Sequence, residues 1–140
     1  FPRVQVHDAP LDMSFSGLKT AAINLIHNAR QKEEALDLPS LAASFSAAVS
    51  DMLVPRVMEA ARRCGRRKVA VAGGVAANSH IRADLEAACA AAGCRLYLPP
   101  LSLCGDNGAM IGCQAYYEYL AGHTADMALN AYANRDIAKG

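Results

Sequence analysis

Apolar positions spaced three and four residues apart predict two helices in the first half of the 140-residue chain. The first covers residues 17–35, with Ser16 as its N-cap. The second begins after the N-cap Ser40 and ends just before Gly65, a residue type that favours the end of a helix. Pro55 lies inside this second helix, where its missing N–H predicts a kink.

A strand–helix–strand pattern follows these helices. The continuous apolar run KVAVAGG (68–74) predicts a strand buried on both faces, and CRLYLPP (94–100) predicts a second strand. Residues 77–93 between them predict a helix with Asn78 as its N-cap. Because these elements follow one another so closely, we expect parallel strands with a right-handed crossover. A last helix is predicted over residues 106–120.

These elements predict an α/β fold that is rich in helix and holds one short parallel sheet. Two strands are too few for a complete parallel sheet, and the chain begins at Phe1 without a Met, so we expect a fragment of a longer protein. Val4 and Val6 alternate as in a strand, within a first segment that is otherwise extended or looped. The unpaired strand edges favour pairing of two copies of the chain as a homodimer.

The composition is that of a globular protein, with 53% hydrophobic and 19% charged residues. The net charge of +1 gives the whole chain no preference for nucleic acid. Charges are expected to interrupt the apolar stretches before they reach the length of a membrane span, which argues against a membrane partner. Five cysteines without a CxxC pair indicate free thiols, a reducing cytoplasmic location and no structural zinc.

Positive charge is concentrated at the end of the second predicted helix. Five cations occupy seven positions there: Arg62, Arg63, Arg66, Arg67 and Lys68. They are typical of a solvated helix end, where cations interact favourably with the helix dipole. A contact with a phosphate backbone is the alternative hypothesis.

A glycine-containing turn follows each predicted strand, at the sheet edge where open α/β folds bind ligands. In the first turn, Gly73 and Gly74 would let backbone N–H groups approach a phosphate beside Asn78. In the second turn, the carboxylate of Asp106 would suit a metal or a metal-bound phosphate. Simpler explanations are a tight turn capped by Asn78 and an Asp106 that caps the last helix and stabilises its dipole.

Several common catalytic motifs are absent from the sequence. The four histidines form no HxxxH or HExxH spacing, and there is neither a GxSxG nor a GxxxxGK[ST] motif. We therefore do not expect this chain to hold a complete catalytic site.

Three stretches in series, DMSFSGLKTA (12–21), VAGGVAANSHIR (71–82) and LPPLSLCGDNGAMIG (98–112), resemble the C-terminal part of the tRNA adenosine threonylcarbamoyltransferase family. This family was formerly labelled O-sialoglycoprotein endopeptidase or glycoprotease. The resemblance implies an actin/sugar-kinase/Hsp70-like protein of two lobes, with residues 1–140 forming most of the C-terminal lobe and the N-terminal lobe absent. The implied reaction moves a threonylcarbamoyl group from threonylcarbamoyl-AMP to the adenosine next to the tRNA anticodon. The implied partners are tRNA and the other proteins of the modification complex.

The resemblance also implies the site residues, although it assigns no catalytic residue. Asp106 corresponds to an aspartate that holds iron or zinc together with two histidines of an HxxxH motif. Six residues correspond to the site for threonylcarbamoyl-AMP or an ATP-like nucleotide: Asn78, Gly73, Gly74, Ser16, Gly17 and Lys19. Because the HxxxH pair lies outside this chain, the resemblance implies an inactive fragment of an active enzyme.

Three other functions share part of this pattern. A nucleotide-binding lobe of another actin-like phosphotransferase would share the Gly-Gly turn, but it would not require SGLKT and CGDNGAM together. A metallopeptidase, the former label, needs several protein ligands on one metal ion. A non-enzymatic module that binds a partner through exposed helices or strand edges is the third alternative.

Overall fold

The structure, a computed structural model, describes residues 1–3 and 9–130. In chain order, its elements are α1 (Ser16–Gln31), α2 (Leu38–Arg63), β1 (Lys68–Ala70), α3 (Ser79–Ala91), β2 (Arg95–Tyr97) and α4 (Gly108–Leu120). A 3₁₀ turn follows each strand, at Gly74–Ala77 and at Leu101–Leu103. The prediction of a helix-rich α/β chain is confirmed, whereas the strand-like pattern at Val4 and Val6 lies outside the described residues.

The chain divides into two compact units, Phe1–Gly105 and Asp106–Gly140. The first unit holds α1 to α3 and both strands, and the second holds α4. The predicted nucleotide-site residues therefore belong to the first unit, and Asp106 is the first residue of the second.

β1 and β2 form a parallel two-stranded sheet, as the strand–helix–strand pattern predicts. The register pairs Lys68 with Arg95, Val69 with Leu96 and Ala70 with Tyr97. The prediction that the first strand is buried on both faces is wrong, because Val69 is buried while its neighbours in β1 are exposed. Helices α2 and α3 cover the face that carries Val69, and the other face carries mainly charged and aromatic side chains.

Two apolar clusters hold the first unit together, and α2 contributes to both. Leu18 of α1 packs with Ala48 and Met52 of α2. Farther along α2, Ala61 packs with Val69 of β1 and Cys89 of α3. Because α2 is long enough to contact both clusters, it connects α1 to the strand–helix–strand unit.

The starts of α1 and α2 differ from the sequence-based prediction. Phe15 occupies the N-cap position of α1 and has no side-chain acceptor, so Ser16 is the first helical residue and not the cap. Asp37 caps α2 and accepts a hydrogen bond from the Ser40 backbone N–H at 3.3 Å. The predicted cap Ser40 therefore lies inside the first turn. Pro39 fits beside it because the first turn needs no intrahelical N–H donor.

A residue with a left-handed backbone follows the end of each of these helices. Gly65, at φ 61°, ends α2 as predicted: its N–H donates to the Arg62 carbonyl, and the Arg66 N–H donates to the Ala61 carbonyl. α1 ends at Gln31, four residues before the predicted end, and Glu33 follows at φ 55°. Pro55 lies within α2, which continues through it.

Within the described residues, α2 is the one helix that could cross a membrane on the criteria of length and composition alone. The prediction that charges interrupt every apolar stretch too early is therefore wrong for this helix. Asp51 is the single charged residue among residues 38–55. One such helix is weak support for a membrane location.

Candidate functional site

The turn after β1 contains two glycines with different structural requirements. Gly73 has φ 89°, a conformation that side chains with a Cβ rarely adopt. Gly74 begins the 3₁₀ turn without this constraint, and a Cβ added to it would meet no heavy atom within 4 Å. Neither conformation nor packing within the described residues requires glycine at position 74. The close approach of a ligand to its backbone would require it.

Asn78 caps α3, as the sequence predicts. Its Oδ1 accepts hydrogen bonds from the backbone N–H groups of His80 at 3.0 Å and Ile81 at 3.2 Å. Its Nδ2 donates to the Ser46 hydroxyl at 3.2 Å. Because an amide oxygen has two lone pairs and an amide nitrogen has two hydrogens, one N–H of Asn78 is left for a ligand. Asn78 can therefore contact a ligand as a hydrogen-bond donor.

A pocket of about 500 Å³ with both polar and apolar lining, which we call the Asn78 pocket, opens beside this amide. It lies between α2 and the start of α3 and is lined by Ala42, Ala43, Ser46, Ala77, Asn78, Ser79 and His80. Deeper between the helices, the Ser50 hydroxyl donates to the Asp84 carboxylate, which lies 3.4 Å from His80 Nε2. Since Ser50 is buried and donates to a carboxylate instead of a histidine, it is not an activated nucleophile.

An apolar groove of about 500 Å³ brings the SGLKT segment and the glycine turn together. Phe15 and Leu18 line it from α1, and Val75 and Ala76 line it from the 3₁₀ turn. The complete lining is Phe15, Leu18, Phe45, Val49, Leu53, Val71, Ala72, Val75, Ala76 and Ile81. Leu18 is fully buried, whereas the predicted site residues Ser16, Gly17 and Lys19 are exposed around it in the first turn of α1.

Arg82 of α3 fixes the two loops that follow the strands. Its Nη1 donates to the Ala76 carbonyl at 2.7 Å, and its Nη2 donates to the Pro99 carbonyl at 2.9 Å. Nη1 also lies 3.6 Å from Cys104 Sγ. The sequence analysis did not assign a role to Arg82. The available signal was a single arginine one turn into a predicted helix that follows a glycine turn.

Asp106 lies in the second unit, directly before the cap of α4. Asn107 is the N-cap, because its Oδ1 accepts a hydrogen bond from the Met110 N–H at 3.1 Å. The prediction that Asp106 caps this helix is therefore wrong. Its side chain is exposed and forms neither a hydrogen bond nor an ion pair with the described residues.

The residues of the described ranges do not complete a metal site. No group of three or more His, Cys, Asp or Glu side chains among residues 1–3 and 9–130 is placed to hold a metal ion. Transition metals bind tightly only where several ligands converge on one ion. The described residues alone therefore do not hold a transition metal tightly. Asp106 would be one ligand of a site whose other ligands lie outside these residues.

A parallel strand–helix–strand unit with an open glycine turn at the carboxyl ends of its strands defines a class of α/β proteins, whose ligands bind at this edge of the sheet. Comparison with known proteins places the chain more narrowly within that class. The family model for tRNA N6-adenosine threonylcarbamoyltransferase matches residues 1–113. The chain belongs to this family.

Curated relatives with this name are similar over almost the whole chain. The protein of Moorella thermoacetica is 48% identical over 131 residues, which cover 94% of this chain and 38% of the relative. The Staphylococcus saprophyticus protein is 47% identical over 98% of this chain and 40% of the relative. The Clostridium botulinum strain 657 protein is 43% identical over 99% of this chain and 41% of the relative. The chain thus spans about 40% of the length of the relatives it matches, in agreement with the predicted fragment.

Proposed function

We propose that this chain is the C-terminal, ligand-binding part of a transferase that carries a threonylcarbamoyl group from threonylcarbamoyl-AMP to the adenosine next to a tRNA anticodon. The similarity to relatives named tRNA N6-adenosine threonylcarbamoyltransferase, at 43–48% identity over nearly the whole chain, carries this proposal. The same similarity disfavours the phosphotransferase and metallopeptidase alternatives.

The proposed site for threonylcarbamoyl-AMP lies in the first unit, at the turn after β1. In this proposal, backbone N–H groups at Gly73 and Gly74 donate to its phosphate, with the positive end of the α3 dipole nearby. The remaining N–H of Asn78 donates to the ligand in the Asn78 pocket, and the apolar groove accommodates the flat adenine base. Ser16, Gly17 and Lys19 lie in the first turn of α1, adjacent in sequence to Phe15 and Leu18, which line this groove.

The chemistry that these contacts would support is acyl transfer. The exocyclic amine of the tRNA adenosine forms a bond to the carbamoyl carbon and loses a proton, while the bond from that carbon to the phosphate oxygen breaks. AMP leaves with the electron pair of the broken bond. Donors at Gly73, Gly74 and Asn78 would stabilise the negative charge that develops on the leaving phosphate.

The proposed parent is a two-lobed, actin-like protein in which residues 1–140 form most of the C-terminal lobe. The parallel sheet, its capped crossover helix and the coverage of about 40% of the relatives support this arrangement. Asp106 is proposed as one ligand of an iron or zinc ion, with its other ligands outside the described residues. An exposed carboxylate that does not cap α4 is consistent with that role.

We also propose a cytoplasmic protein that acts with tRNA and with partner proteins of the modification complex, and not at a membrane. All five cysteines are free thiols, which is consistent with a reducing compartment. Pairing of two copies through strand edges remains part of the proposal. Sedimentation velocity at increasing concentration tests it, since a monomer at all concentrations would contradict it.

The transferase proposal is tested with the longer protein that contains this chain, its partner proteins, threonylcarbamoyl-AMP and unmodified tRNA. Mass spectrometry of the nucleosides measures modified adenosine for wild type, Asp106→Ala and the matched control Asp126→Ala, which removes another exposed carboxylate of the second unit. We expect modification by wild type and Asp126→Ala and its loss in Asp106→Ala. Modification by Asp106→Ala would contradict the metal role, and none by folded, metal-loaded wild type would contradict the transferase.

A further inference from the structure

The cation cluster at the end of α2 is not used by the candidate site, and the sheet enlarges it. The Arg95 N–H donates to the Arg67 carbonyl at 2.7 Å, and the register places Arg95 opposite Lys68. Six exposed cations thereby share the amino-terminal end of the sheet, a surface that we call the basic patch: Arg62, Arg63, Arg66, Arg67, Lys68 and Arg95.

Most of the charge in the basic patch is uncompensated. Glu59 accepts hydrogen bonds from Arg62 and from Arg63, each at 2.7 Å, and these bonds lower its pKa to about 2. The other four cations of the patch form no ion pair with the described residues. A groove of about 630 Å³ runs along the patch, and Glu59 is the one acidic residue that lines it.

The cations are not needed to terminate the helices. Backbone N–H groups of Gly65 and Arg66 satisfy the last carbonyls of α2, and those of Gly93 and Cys94 satisfy the last carbonyls of α3. Helix capping therefore does not explain why the side chains of residues 66–68 and of Arg95 are cationic.

An aromatic side chain adjoins the patch. The Arg95 guanidinium lies 5.0 Å from the centre of the Tyr97 ring, and both side chains are exposed on the uncovered face of β2. Exposed aromatic rings and guanidinium planes are the surfaces on which unpaired RNA bases stack, next to cations that contact the phosphates.

We propose that the basic patch binds the phosphate backbone of RNA and that Arg95 and Tyr97 stack on an unpaired base. This inference rests on the proposed function, which makes tRNA the RNA in question. The patch lies at the amino ends of the strands, roughly 15 Å from the glycine turn if each residue spans about 3.3 Å. The patch therefore positions the RNA, and its residues do not contact the reacting atoms.

The test measures binding of fluorescent, unmodified tRNA to the purified chain by anisotropy over a range of salt concentrations. We expect Arg66→Glu/Arg67→Glu to weaken binding at low salt by about tenfold or more, and to reduce the slope of log affinity against log salt by about 1 to 2. Arg66→Lys/Arg67→Lys should stay within about threefold of wild type, because both charges remain. Tyr97→Ala should weaken binding by about fivefold or more at unchanged salt slope.

The matched control is Arg30→Glu/Lys32→Glu, which reverses two exposed charges at the end of α1, outside the patch. Its affinity for tRNA should stay within about threefold of wild type if binding depends on the position of the charges in the patch and not on the net charge of the chain. Circular dichroism melting curves verify that every variant is folded. Equal losses in both charge-reversed pairs, no tRNA binding by wild type, or preferential binding of anionic lipid vesicles would each overturn the proposal.

A second measurement separates this inference from the proposed function. In the longer protein, Arg66→Glu/Arg67→Glu should raise the KM for tRNA about tenfold and leave kcat nearly unchanged. Transfer by this variant with an unaltered KM would overturn the patch and leave the transferase intact. Absence of transfer by wild type, with tRNA binding that still depends on the patch, would overturn the transferase and leave the RNA-binding surface intact.

Discussion

Asn78 combines two roles that substitution can separate, because its Oδ1 caps α3 while one N–H of its Nδ2 remains for a ligand. Asn78→Ala should lower the free energy of unfolding by about 1 kcal/mol through loss of the cap. Asn78→Ser keeps a capping oxygen and should preserve most of that stability. Both variants lack the amide donor and should bind AMP more weakly than wild type. Urea unfolding and calorimetric titration of AMP measure the two effects.

Serine is the informative substitution. A stable Asn78→Ser variant that binds AMP as wild type does would show that Asn78 is only a helix cap. Asn107→Ala, which removes the cap of α4 in the other unit, is the control for loss of a cap without loss of AMP binding.

The two glycines of the turn after β1 should respond differently to alanine. Gly73→Ala forces a Cβ into a backbone at φ 89° and should destabilise the chain by about 1 kcal/mol or more. Gly74→Ala meets no neighbouring atom and should change stability by less than about 0.5 kcal/mol. If the backbone at Gly74 approaches a phosphate, this second variant should nevertheless lose AMP binding. Unchanged AMP binding by Gly74→Ala would argue against a ligand at this turn.

At the scale of elements, Glu59 makes the stability of the end of α2 depend on pH. The side-chain hydrogen bonds from Arg62 and Arg63 lower its pKa to about 2, below the ordinary 4.5. A lowered pKa means that the ionised group stabilises the folded state above about pH 5, and that this contribution disappears as the pH falls towards about 2. Glu59→Gln should therefore melt below wild type at neutral pH, and the difference should vanish under acid conditions.

The pH series should be repeated in high salt, because exposed ion pairs are screened. Glu86→Gln is the matched control, since Glu86 is exposed and forms no ion pair with the described residues. A difference in melting temperature between wild type and Glu59→Gln that stays constant down to pH 2 would contradict stabilisation by the ionised Glu59 carboxylate.

Arg82 is expected to hold the loops after β1 and β2 together. Arg82→Met keeps the apolar stem but removes the donors to the Ala76 and Pro99 carbonyls, which should destabilise the first unit by about 1–3 kcal/mol. Hydrogen exchange should become faster in both loops. The stability of Arg82→Lys should lie between that of wild type and that of Arg82→Met, because one ammonium group cannot reproduce the planar fork of donors. Exchange rates that do not change in Arg82→Met would contradict this role.

The helix ends show which local features a sequence can specify. The predictions of Asn78 as the cap of α3 and of Gly65 as the end of α2 are confirmed, because both residue types are strongly preferred at these positions. Ser16, Ser40 and Asp106 were wrong as caps. At α2 and α4 a neighbouring residue competes, since Asp37 and Asn107 provide the capping oxygens. At α1 the N-cap position falls on Phe15, which has no capping oxygen. Spacing alone does not decide between neighbouring acceptors.

Strand burial and the contacts of Arg82 depend on tertiary structure, and the sequence did not predict them. The apolar run at 68–74 indicated burial on both faces, but only one face of β1 is covered within the described residues. The same limit applies to the groove between α1 and the glycine turn. Its lining combines residues from segments that are about 60 positions apart and that become neighbours only when both pack on α2.

At the scale of the whole molecule, the predicted site residues are distributed over both units. The candidate nucleotide contacts lie in Phe1–Gly105, and the candidate metal ligand is the first residue of Asp106–Gly140. The chain spans about 40% of the length of its relatives, and the proposed site includes metal ligands that are not among the described residues.

The chain alone should therefore be unable to transfer the threonylcarbamoyl group. A single exposed carboxylate and no cluster of metal-binding side chains among the described residues leave a metal without enough ligands, so added iron or zinc should not restore activity. Incubation of the purified chain with threonylcarbamoyl-AMP and unmodified tRNA should yield no more modified adenosine than a protein-free control. The longer protein under the same conditions is the positive control. Because the glycine turn and Asn78 fold within the first unit, AMP should still bind to the isolated chain, although weakly. Turnover by the chain alone would show that the reaction needs neither the proposed histidine ligands nor the proposed second lobe, and it would contradict the proposed division of the site.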